Sequence, residues 1–253
     1  MNENSPNNSG RVLSSHFPPR RKAPWGSPKL GHPPMSPVDF YGREFIVTPD
    51  VLIPRPETEM MIDAVLNLVG KPYLPGVRPS EPKLPEDLTI VDVGTGSGCI
   101  AITLKKELPR AQVVASDISK GALKVAKRNA NALKADVRFV RSDLLSQIEV
   151  KPDLVVANLP YVDRNWEWLN HDSLSKEPEI ALYAEDHGLD LIKKLIDQVA
   201  QRSIKHLILE ADPCQHKEIT KYAKRYEMSV YETRGFILCL SGRVLSSHFS
   251  PRR

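Results

Sequence analysis

The sequence predicts an α/β fold, in which a mostly parallel seven-stranded sheet ends in an antiparallel hairpin. Three observations favour it. Strand-like and helix-like segments alternate from residue 88 to residue 226, the first strand runs into a glycine-rich turn, and the last two strand-like segments have no helix between them. Alternation at these segment lengths is typical of a parallel sheet with helices on both faces.

The elements of the sheet follow from short apolar runs bounded by turn residues. These runs predict the five parallel strands, which fall at 88–93, 112–116, 137–140, 153–157 and 206–210. The segments between them predict the covering helices, which fall at 98–107, 119–134, 188–202 and 215–226. The closing hairpin is predicted by MSVYET and GFILCL, which are joined through Arg234 and Gly235.

A smaller unit is predicted ahead of the sheet. VDFYGREFIV, at 38–47, predicts a short hairpin around Gly42. Two prolines keep the residues up to Arg55 extended. A helix is predicted over 57–69, because its apolar residues form one stripe at Met61, Val65 and Leu68. Five prolines then mark 71–87 as a linker.

Composition and charge limit the classes of function. No apolar run approaches the roughly 18 to 20 residues of a membrane span. The net charge of +4 belongs to the ends of the chain, since residues 1–37 carry +4 and residues 241–253 carry +3, which leaves −3 for residues 38–240. A mildly acidic folded part argues against tight nucleic-acid binding. The three cysteines stand far apart, so we expect a reducing, cytoplasmic location and no metal site.

The glycine-rich turn predicts a nucleoside-cofactor site. In TIVDVGTGSGCIAI (89–102), a strand runs into glycines that let the backbone approach a ligand, and a helix start then offers its amide groups. The spacing is G-x-G-x-G, because a dinucleotide fingerprint would place its third glycine at Cys99. The predicted cofactor-binding residues of the turn are Gly94, Thr95, Gly96, Ser97 and Gly98.

Two further strand ends extend this site. The second strand ends at Asp117, where a carboxylate suits two vicinal ribose hydroxyls. The third is followed by Asp143 and Leu144, which could meet an adenine ring. The glycine spacing and the closing hairpin favour S-adenosylmethionine over NAD. The expected fold is therefore Rossmann-like, of the class I S-adenosylmethionine-dependent methyltransferase type.

The fourth strand ends at Asn158-Leu159-Pro160-Tyr161, beside the glycine turn. One interpretation is that Asn and Pro only terminate the strand and form a turn. The other is catalytic. A planar nitrogen is a poor nucleophile, and two fixed acceptors, the Asn158 side-chain oxygen and the Leu159 backbone carbonyl, would hold its N–H groups and aim its lone pair. Pro160 would stiffen the turn, and Tyr161 would offer a flat face.

These residues carry a family resemblance. The tetrapeptide is similar to the (D/N/S)-P-P-(Y/F/W) motif of methyltransferases that act on planar nitrogens. FYGREFIVTPDVLIPRPETEMMID, at 40–63, looks like the signature of release factor glutamine methyltransferases, the HemK/PrmC family. EPEIALYAEDHGLDLI, at 177–192, resembles another element of that family. The likeness covers roughly residues 38–240.

The resemblance implies an activity and a site. The activity is transfer of a methyl group from S-adenosylmethionine to the side-chain amide of the glutamine in the Gly-Gly-Gln motif of peptide release factors. The catalytic residues would be Asn158, Pro160 and Tyr161, and Asn158 would also contact the cofactor. The substrate would meet residues 158–161 and a wall made of Arg55, Pro56, Glu57 and Thr58. The alternative for Arg55 and Glu57 is a surface ion pair at a helix start.

Two departures from the family keep alternatives open. Position 159 is Leu where the family usually has Pro, and Asn-Leu-Pro-Tyr also occurs in ribosomal RNA adenine dimethyltransferases, so an RNA or DNA adenine amine is the alternative substrate. The family also carries a helical N-terminal domain of roughly 70 to 80 residues, and only a proline-rich stretch precedes residue 38 here. A non-catalytic paralogue that binds cofactor or partner is the second alternative.

The expected domain organisation has four parts. Residues 1–37 form a disordered tail, residues 38–87 cover the active site, residues 88–240 form the catalytic domain, and residues 241–253 form a basic tail that repeats 9–21 with one mismatch. We expect a monomer whose protein partner is a release factor, with no membrane or metal and no nucleic acid except as the alternative substrate.

Overall fold

A computed structural model describes residues 37–71, 84–166 and 177–242 of the chain. Most of the predicted tails and of the linker at 71–87 therefore lie outside the described residues. The tail boundaries shift slightly, because Pro37 already begins the first strand and Ser241 still belongs to the last one. Within the described ranges, no helix is both long and apolar enough to cross a bilayer.

Seven strands form one sheet, as the sequence predicts. In chain order they are β3 (Thr89–Val93), β4 (Gln112–Asp117), β5 (Arg138–Arg141), β6 (Leu154–Ala157), β7 (His206–Glu210), β8 (Ser229–Arg234) and β9 (Ile237–Ser241). Their order across the sheet is β5-β4-β3-β6-β7-β9-β8. The pairs from β5 to β7 are parallel, whereas β9 is antiparallel to both of its neighbours, which confirms the closing hairpin.

The strand order fixes where a ligand can bind. The chain moves outward from β3 through β4 to β5, and then returns to place β6 on the other side of β3. Connections therefore leave β3 and β6 in opposite directions, which opens a crevice beyond their carboxyl ends. The glycine turn follows β3, and Asn158 follows β6. Both predicted motifs therefore lie at the switch point of the sheet.

The helices also agree with the sequence within a few residues. They are α1 (Glu59–Leu68), α2 (Cys99–Glu107), α3 (Lys120–Leu133), α4 (Asp190–Gln201) and α5 (His216–Ala223), with single 3-10 turns at Pro56–Thr58, Glu179–Ala181 and Lys224–Tyr226 and a short helical segment at Glu185–Gly188. The helix predicted over 188–202 begins two residues late, because Gly188 adopts φ +81°. The helix predicted over 215–226 ends early, since its last turn tightens and Glu227 is left-handed.

Buried side chains form a separate core on each face of the sheet. Neighbouring residues of one strand point to opposite faces, so Ile90 joins the core under α1 and α2 while Val91 joins the core under α4 and α5. The predicted stripe of α1 is fully part of the first core, because Met61 and Val65 have no exposed surface. The sheet is therefore a rigid platform for the residues at its carboxyl edge.

The predicted N-terminal hairpin is present as β1 (Pro37–Phe40) and β2 (Arg43–Ile46). Asn129 on α3 fixes its position, because its side chain accepts from Ile46 N at 2.8 Å and donates to Ile46 O at 2.9 Å. The same amide donates to the carbonyl of Ser97 in the glycine turn at 2.8 Å. One buried side chain thus connects the hairpin to the glycine turn, and the residues after β2 pass over the carboxyl edge of the sheet.

Candidate active site

Strand register brings three distant residues into one row. Val93 pairs with Ala157 across β3 and β6, and Ala157 pairs with Leu209 across β6 and β7. Gly94, Asn158 and Glu210 come next on their strands and therefore stand side by side at the carboxyl edge of the sheet. The prediction that Asn158 lies beside the glycine turn agrees with this register.

A cavity of about 260 Å³ opens at this edge. Eleven of the predicted site residues line it, namely Arg55, Thr58, Gly94, Thr95, Gly96, Asp117, Asp143, Leu144, Asn158, Leu159 and Pro160. Five others are not among the lining residues, namely Pro56, Glu57, Ser97, Gly98 and Tyr161. The structure thus places most of the predicted cofactor residues and half of the predicted substrate wall around a single space.

The glycine turn approaches the Asn158 segment closely. Gly94 has φ +74°, and a Cβ at this position would lie 2.9 Å from Leu159 Cδ2 and 3.6 Å from the carbonyl oxygen of Asn158. A side chain here would force Leu159, in the loop after β6, to move. A glycine is therefore required by the packing of the two loops as well as by the backbone angle.

Asp92 anchors the turn from below. Its Oδ2 accepts from Thr95 Oγ1 at 2.6 Å and from Ala101 N at 3.2 Å, whereas Oδ1 has no hydrogen-bond partner among the described residues. The side chain has no exposed surface. Burial raises the pKa of Asp92 to about 7. The two hydrogen bonds oppose this shift, and the nearby charge of Asp117 adds to it.

Ser97 and Gly98 lie behind the turn instead of facing the cavity. The Ser97 carbonyl is held by Asn129. Gly98, at φ +83°, begins α2, and a Cβ there would lie 2.9 Å from Ile102 Cδ1 and 3.1 Å from the Cβ of Ala126. Gly98 therefore allows α2 and α3 to pack closely, and the cofactor contact predicted for these two residues has no support from their position.

Asp117 and its neighbours form the opposite wall. The Asp117 carboxylate accepts from Gly96 N at 2.9 Å and from Ser119 N at 2.8 Å, and burial raises its pKa. The carboxylate keeps acceptor capacity that a ribose hydroxyl could use. Ile118, with 51% of its surface exposed, and Leu144, at φ +50°, line the same space and offer apolar surface to a purine ring. These residues fit an adenosine-bearing cofactor.

The Asn158 side chain belongs to a network that joins three distant segments. Its Nδ2 donates to Thr58 Oγ1 at 3.2 Å. Thr58, Tyr161 and Asn158 all interact with the buried carboxylate of Glu210, where Tyr161 donates its hydroxyl to Oε1 at 3.2 Å. A carboxylate only accepts hydrogen bonds, so Asn158 turns its NH2 group toward this network. The Asn158 carbonyl oxygen is therefore the amide atom left for a ligand in the cavity.

Leu159 is the position at which the family motif usually has Pro. Its side chain is 4% exposed and packs in the core beside the glycine turn. Burial of this side chain holds the segment in place, although the ring restraint of proline is absent. No donor among the described residues occupies the Leu159 carbonyl, so the acceptor that the sequence predicts is present.

Tyr161 does not offer its ring to the cavity as the sequence predicts. Its side chain packs against the core under α4 and α5, and its hydroxyl bonds to Glu210. Its backbone carbonyl accepts from Gln215 Nε2 at 2.8 Å. Burial and the Glu210 charge raise the pKa of the Tyr161 hydroxyl, which therefore stays a donor. Tyr161 is thus linked to Asn158 through Glu210 and is not among the residues that line the cavity.

Arg55 makes a different ion pair from the one considered at the sequence level. Its guanidinium bonds to Glu177 Oε1, whereas Glu57 is exposed. The other Glu177 oxygen accepts from Ile53 N at 3.0 Å. Glu177, itself 8% exposed, thus ties the segment 51–58 to the start of the EPEIAL element. The two segments close one side of the cavity together.

Sequence reasoning gave too little weight to two residues. From sequence, Glu210 is either a plain strand-end carboxylate or a residue that orients the loop at 211–215, and its contact with Asn158 depends on the β6 and β7 register. Glu177 lies in a recognised element, but its partner Arg55 is 122 residues away. The one available signal for Glu210 is its place at the end of a predicted strand, and this does not indicate its partner.

Comparisons with known proteins agree with this arrangement. Residues 81–170 match the family model described as Methyltransferase small domain. The solved catalytic domain of hMettl16 in complex with MAT2A 3'UTR hairpin 6 superposes with a TM-score of 0.59 at 17% identity, over 83% of this chain and 79% of that chain. At this identity the likeness shows the fold alone, which is the class I S-adenosylmethionine-dependent methyltransferase fold.

Two curated relatives extend the likeness to the sequence. The release factor glutamine methyltransferase of Koribacter versatilis (strain Ellin345) is 46% identical over 164 residues, which cover 64% of this chain and 54% of the relative. The protein of the same name from Bacillus cereus is 35% identical over 201 residues, which cover 71% of this chain and 68% of the relative. The chain spans about half the length of the first relative. The chain covers more than two thirds of the second relative. This likeness shows that the chain belongs to the family of release factor glutamine methyltransferases.

Proposed function

We propose that this chain methylates the side-chain amide nitrogen of the glutamine in the Gly-Gly-Gln motif of peptide release factors, in the cytoplasm, with S-adenosylmethionine as donor. The observation that carries the proposal is the Asn158 carboxamide at the cavity wall. Its NH2 group is engaged by Thr58 and Glu210, which leaves its oxygen for a ligand in the cavity that Asn158 lines beside the glycine turn. The names of the two relatives, both release factor glutamine methyltransferases, support the same activity.

The cofactor would occupy the part of the cavity next to β3 and β4. Gly94 to Gly96 would contact its amino acid part, Asp117 its ribose hydroxyls, and Asp143 and Leu144 its adenine. When bound, S-adenosylmethionine supplies an electrophilic methyl group. We also propose that residues 38–87 cover the active site and that residues 88–240 form the catalytic domain, since Arg55 and Thr58 line the cavity.

The residues at the end of β6 would prepare the substrate nitrogen. The lone pair of an amide nitrogen is delocalised into its carbonyl group. If the Asn158 oxygen and the Leu159 carbonyl accept its two N–H groups, the nitrogen is held in place and can pyramidalise. One of these N–H protons becomes acidic as the new bond to nitrogen forms, so no strong base is required. The rate increase comes from positioning and from hydrogen bonds that strengthen in the transition state.

The experiment that tests this function is methyl transfer from radiolabelled S-adenosylmethionine by the full chain. A purified release factor is the substrate, its variant with Ala in place of the Gly-Gly-Gln glutamine is the matched control, and ribosomal RNA is a parallel substrate. We expect label on the release factor and none on the control. Label on RNA alone would overturn the proposal in favour of an adenine amine substrate. Cofactor binding without transfer to either substrate would overturn it in favour of a non-catalytic protein.

A further inference from the structure

Glu210 is a deeply buried carboxylate beside Asn158 that the mechanism above does not use. It is 2% exposed, because β7 lies between β6 and β9 and Thr58 packs over its end. Its Oε2 has no hydrogen-bond partner within the described ranges. An unpartnered buried acceptor costs stability, and burial accordingly raises the pKa of Glu210. Stability of the fold therefore gives no reason for a carboxylate at this position.

The groups around Glu210 share one property, which is that each can act as a donor to it. The Tyr161 hydroxyl donates to Oε1, and Asn158 brings an NH2 group. Thr58 Oγ1 already accepts from Asn158, so its own proton is free to point at the carboxylate. Thr58 precedes α1, where a threonine hydroxyl commonly caps the helix, but it makes no such bond here. The hydroxyl serves the network instead.

We propose that Glu210 is a positioning residue that fixes which atom of the Asn158 amide faces the substrate. This inference rests on the proposed function, since it assigns Glu210 a role in the same site. An ionised Glu210 behind Asn158 accepts hydrogen bonds and donates none, so it requires the amide to turn its NH2 group inward. The carbonyl oxygen then faces the cavity as an acceptor for the substrate N–H. Without the carboxylate, the amide can rotate, and its NH2 group would then face the substrate N–H, so that two donors meet and no hydrogen bond forms.

Glu210→Gln tests this role with little change in shape. The new amide keeps only one acceptor oxygen for the three donors Thr58, Tyr161 and Asn158, so at least one of them loses its acceptor. With release factor as substrate, we expect kcat to fall about a hundredfold, as for loss of a group that acts mainly in the transition state. The KM for release factor and the affinity for S-adenosylmethionine should stay within about threefold, because the hydrogen bond from substrate to Asn158 acts mainly in the transition state.

The matched control is Glu107→Gln. Glu107 pairs with Arg43 at the end of α2 and lies outside the cavity, so the same chemical change there should leave turnover within about twofold of the wild type. Glu210→Gln with kcat within about threefold of the wild type would overturn the proposal. A loss of kcat in proportion to a loss of folded protein or of cofactor affinity would also overturn it, since that is the result of a structural role.

A measurement on the wild-type chain tests the orientation of the Asn158 amide independently of turnover and of how the variant folds. In nuclear magnetic resonance of the labelled protein, the two side-chain NH2 protons of Asn158 should exchange slowly with water, because both are engaged by Thr58 and Glu210. Fast exchange would overturn the proposed orientation. A wild-type chain that transfers no methyl to release factor but shows protected Asn158 protons would reject the proposed function and leave the orientation of Asn158 established.

Discussion

The two sides of the cavity are built in different ways. On the side of β3 and β4, the wall is formed by neighbours in sequence, as in the glycine turn, where Asp92, Thr95 and Ala101 bond within nine residues of one another. On the side of β6 and β7, the wall depends on side chains from distant segments. Asn158 bonds to Thr58 across 100 residues, and Tyr161 bonds to Glu210 across 49.

This difference separates two tasks. The glycine side presents backbone groups whose positions follow from local φ and ψ angles, which suits a cofactor of fixed shape. The Asn158 side must hold a single amide in one orientation of two, and only charge and hydrogen-bond direction can choose between them. Variants on the two sides should therefore fail differently, with loss of binding and stability on the first and loss of turnover on the second.

The largest expected effect on the Asn158 side is that of Asn158→Ala. It removes the acceptor for a substrate N–H and leaves the Glu210 network without its amide. We expect kcat to fall about a hundredfold, which corresponds to about 3 kcal/mol in the activation free energy. S-adenosylmethionine titrated into the variant in a calorimeter should bind nearly as it does to the wild type. Turnover close to the wild-type rate would mean that Asn158 is not the orienting residue.

A matched pair of glycines tests the other side. Gly94 and Gly42 have similar angles, φ +74° and φ +71°, but an added Cβ meets Leu159 and the Asn158 carbonyl at Gly94 and nothing within 4 Å at Gly42. Alanine at Gly42 should cost only about 1 kcal/mol of left-handed strain. Gly94→Ala should lower the free energy of unfolding by about 2 kcal/mol more, since overpacking adds to the strain.

Urea unfolding of the two variants provides the comparison, and titration with S-adenosylmethionine should show weakened binding for Gly94→Ala alone. Equal losses of stability in the two variants would contradict the close contact between the glycine turn and Leu159.

The smallest expected effect concerns Asp92, the anchor of the glycine side. Its folded-state pKa of about 7 lies above its ordinary value of 3.8. Between these pH values the folded state binds more protons than the unfolded state, so the stability contributed by protonated Asp92 is lost as pH rises through this window. Above about pH 7 the loss is complete and the contribution becomes constant.

Asp92→Asn keeps an acceptor for Thr95 and Ala101 and removes the titration. Its free energy of unfolding, measured against that of the wild type, should therefore gain about 1 kcal/mol between pH 6 and pH 8. A difference between the two proteins that does not change with pH would show that Asp92 titrates normally.

The elements of the fold could be predicted closely because their signals are local. Apolar runs marked the strands, and the lack of a helix between 229–234 and 237–241 marked the hairpin. Helix ends were less accurate where a left-handed residue intervened, as at Gly188 and Glu227, because backbone angles leave little trace in composition. The family resemblance indicated Arg55 and Tyr161, but their partners, Glu177 and Glu210, are not encoded near them.

The sequence by itself determined the individual strands, the glycine turn and the position of Asn158 at a strand end. Each of these depends on residues within one short segment. Only the tertiary structure decided that Tyr161 faces Glu210 and not the cavity, that Arg55 pairs with Glu177, and that the Asn158 oxygen is the free end of its amide. The physical reason is that hydrogen-bond direction depends on which donors and acceptors meet, and these meet only when β6, β7 and the start of α1 come together.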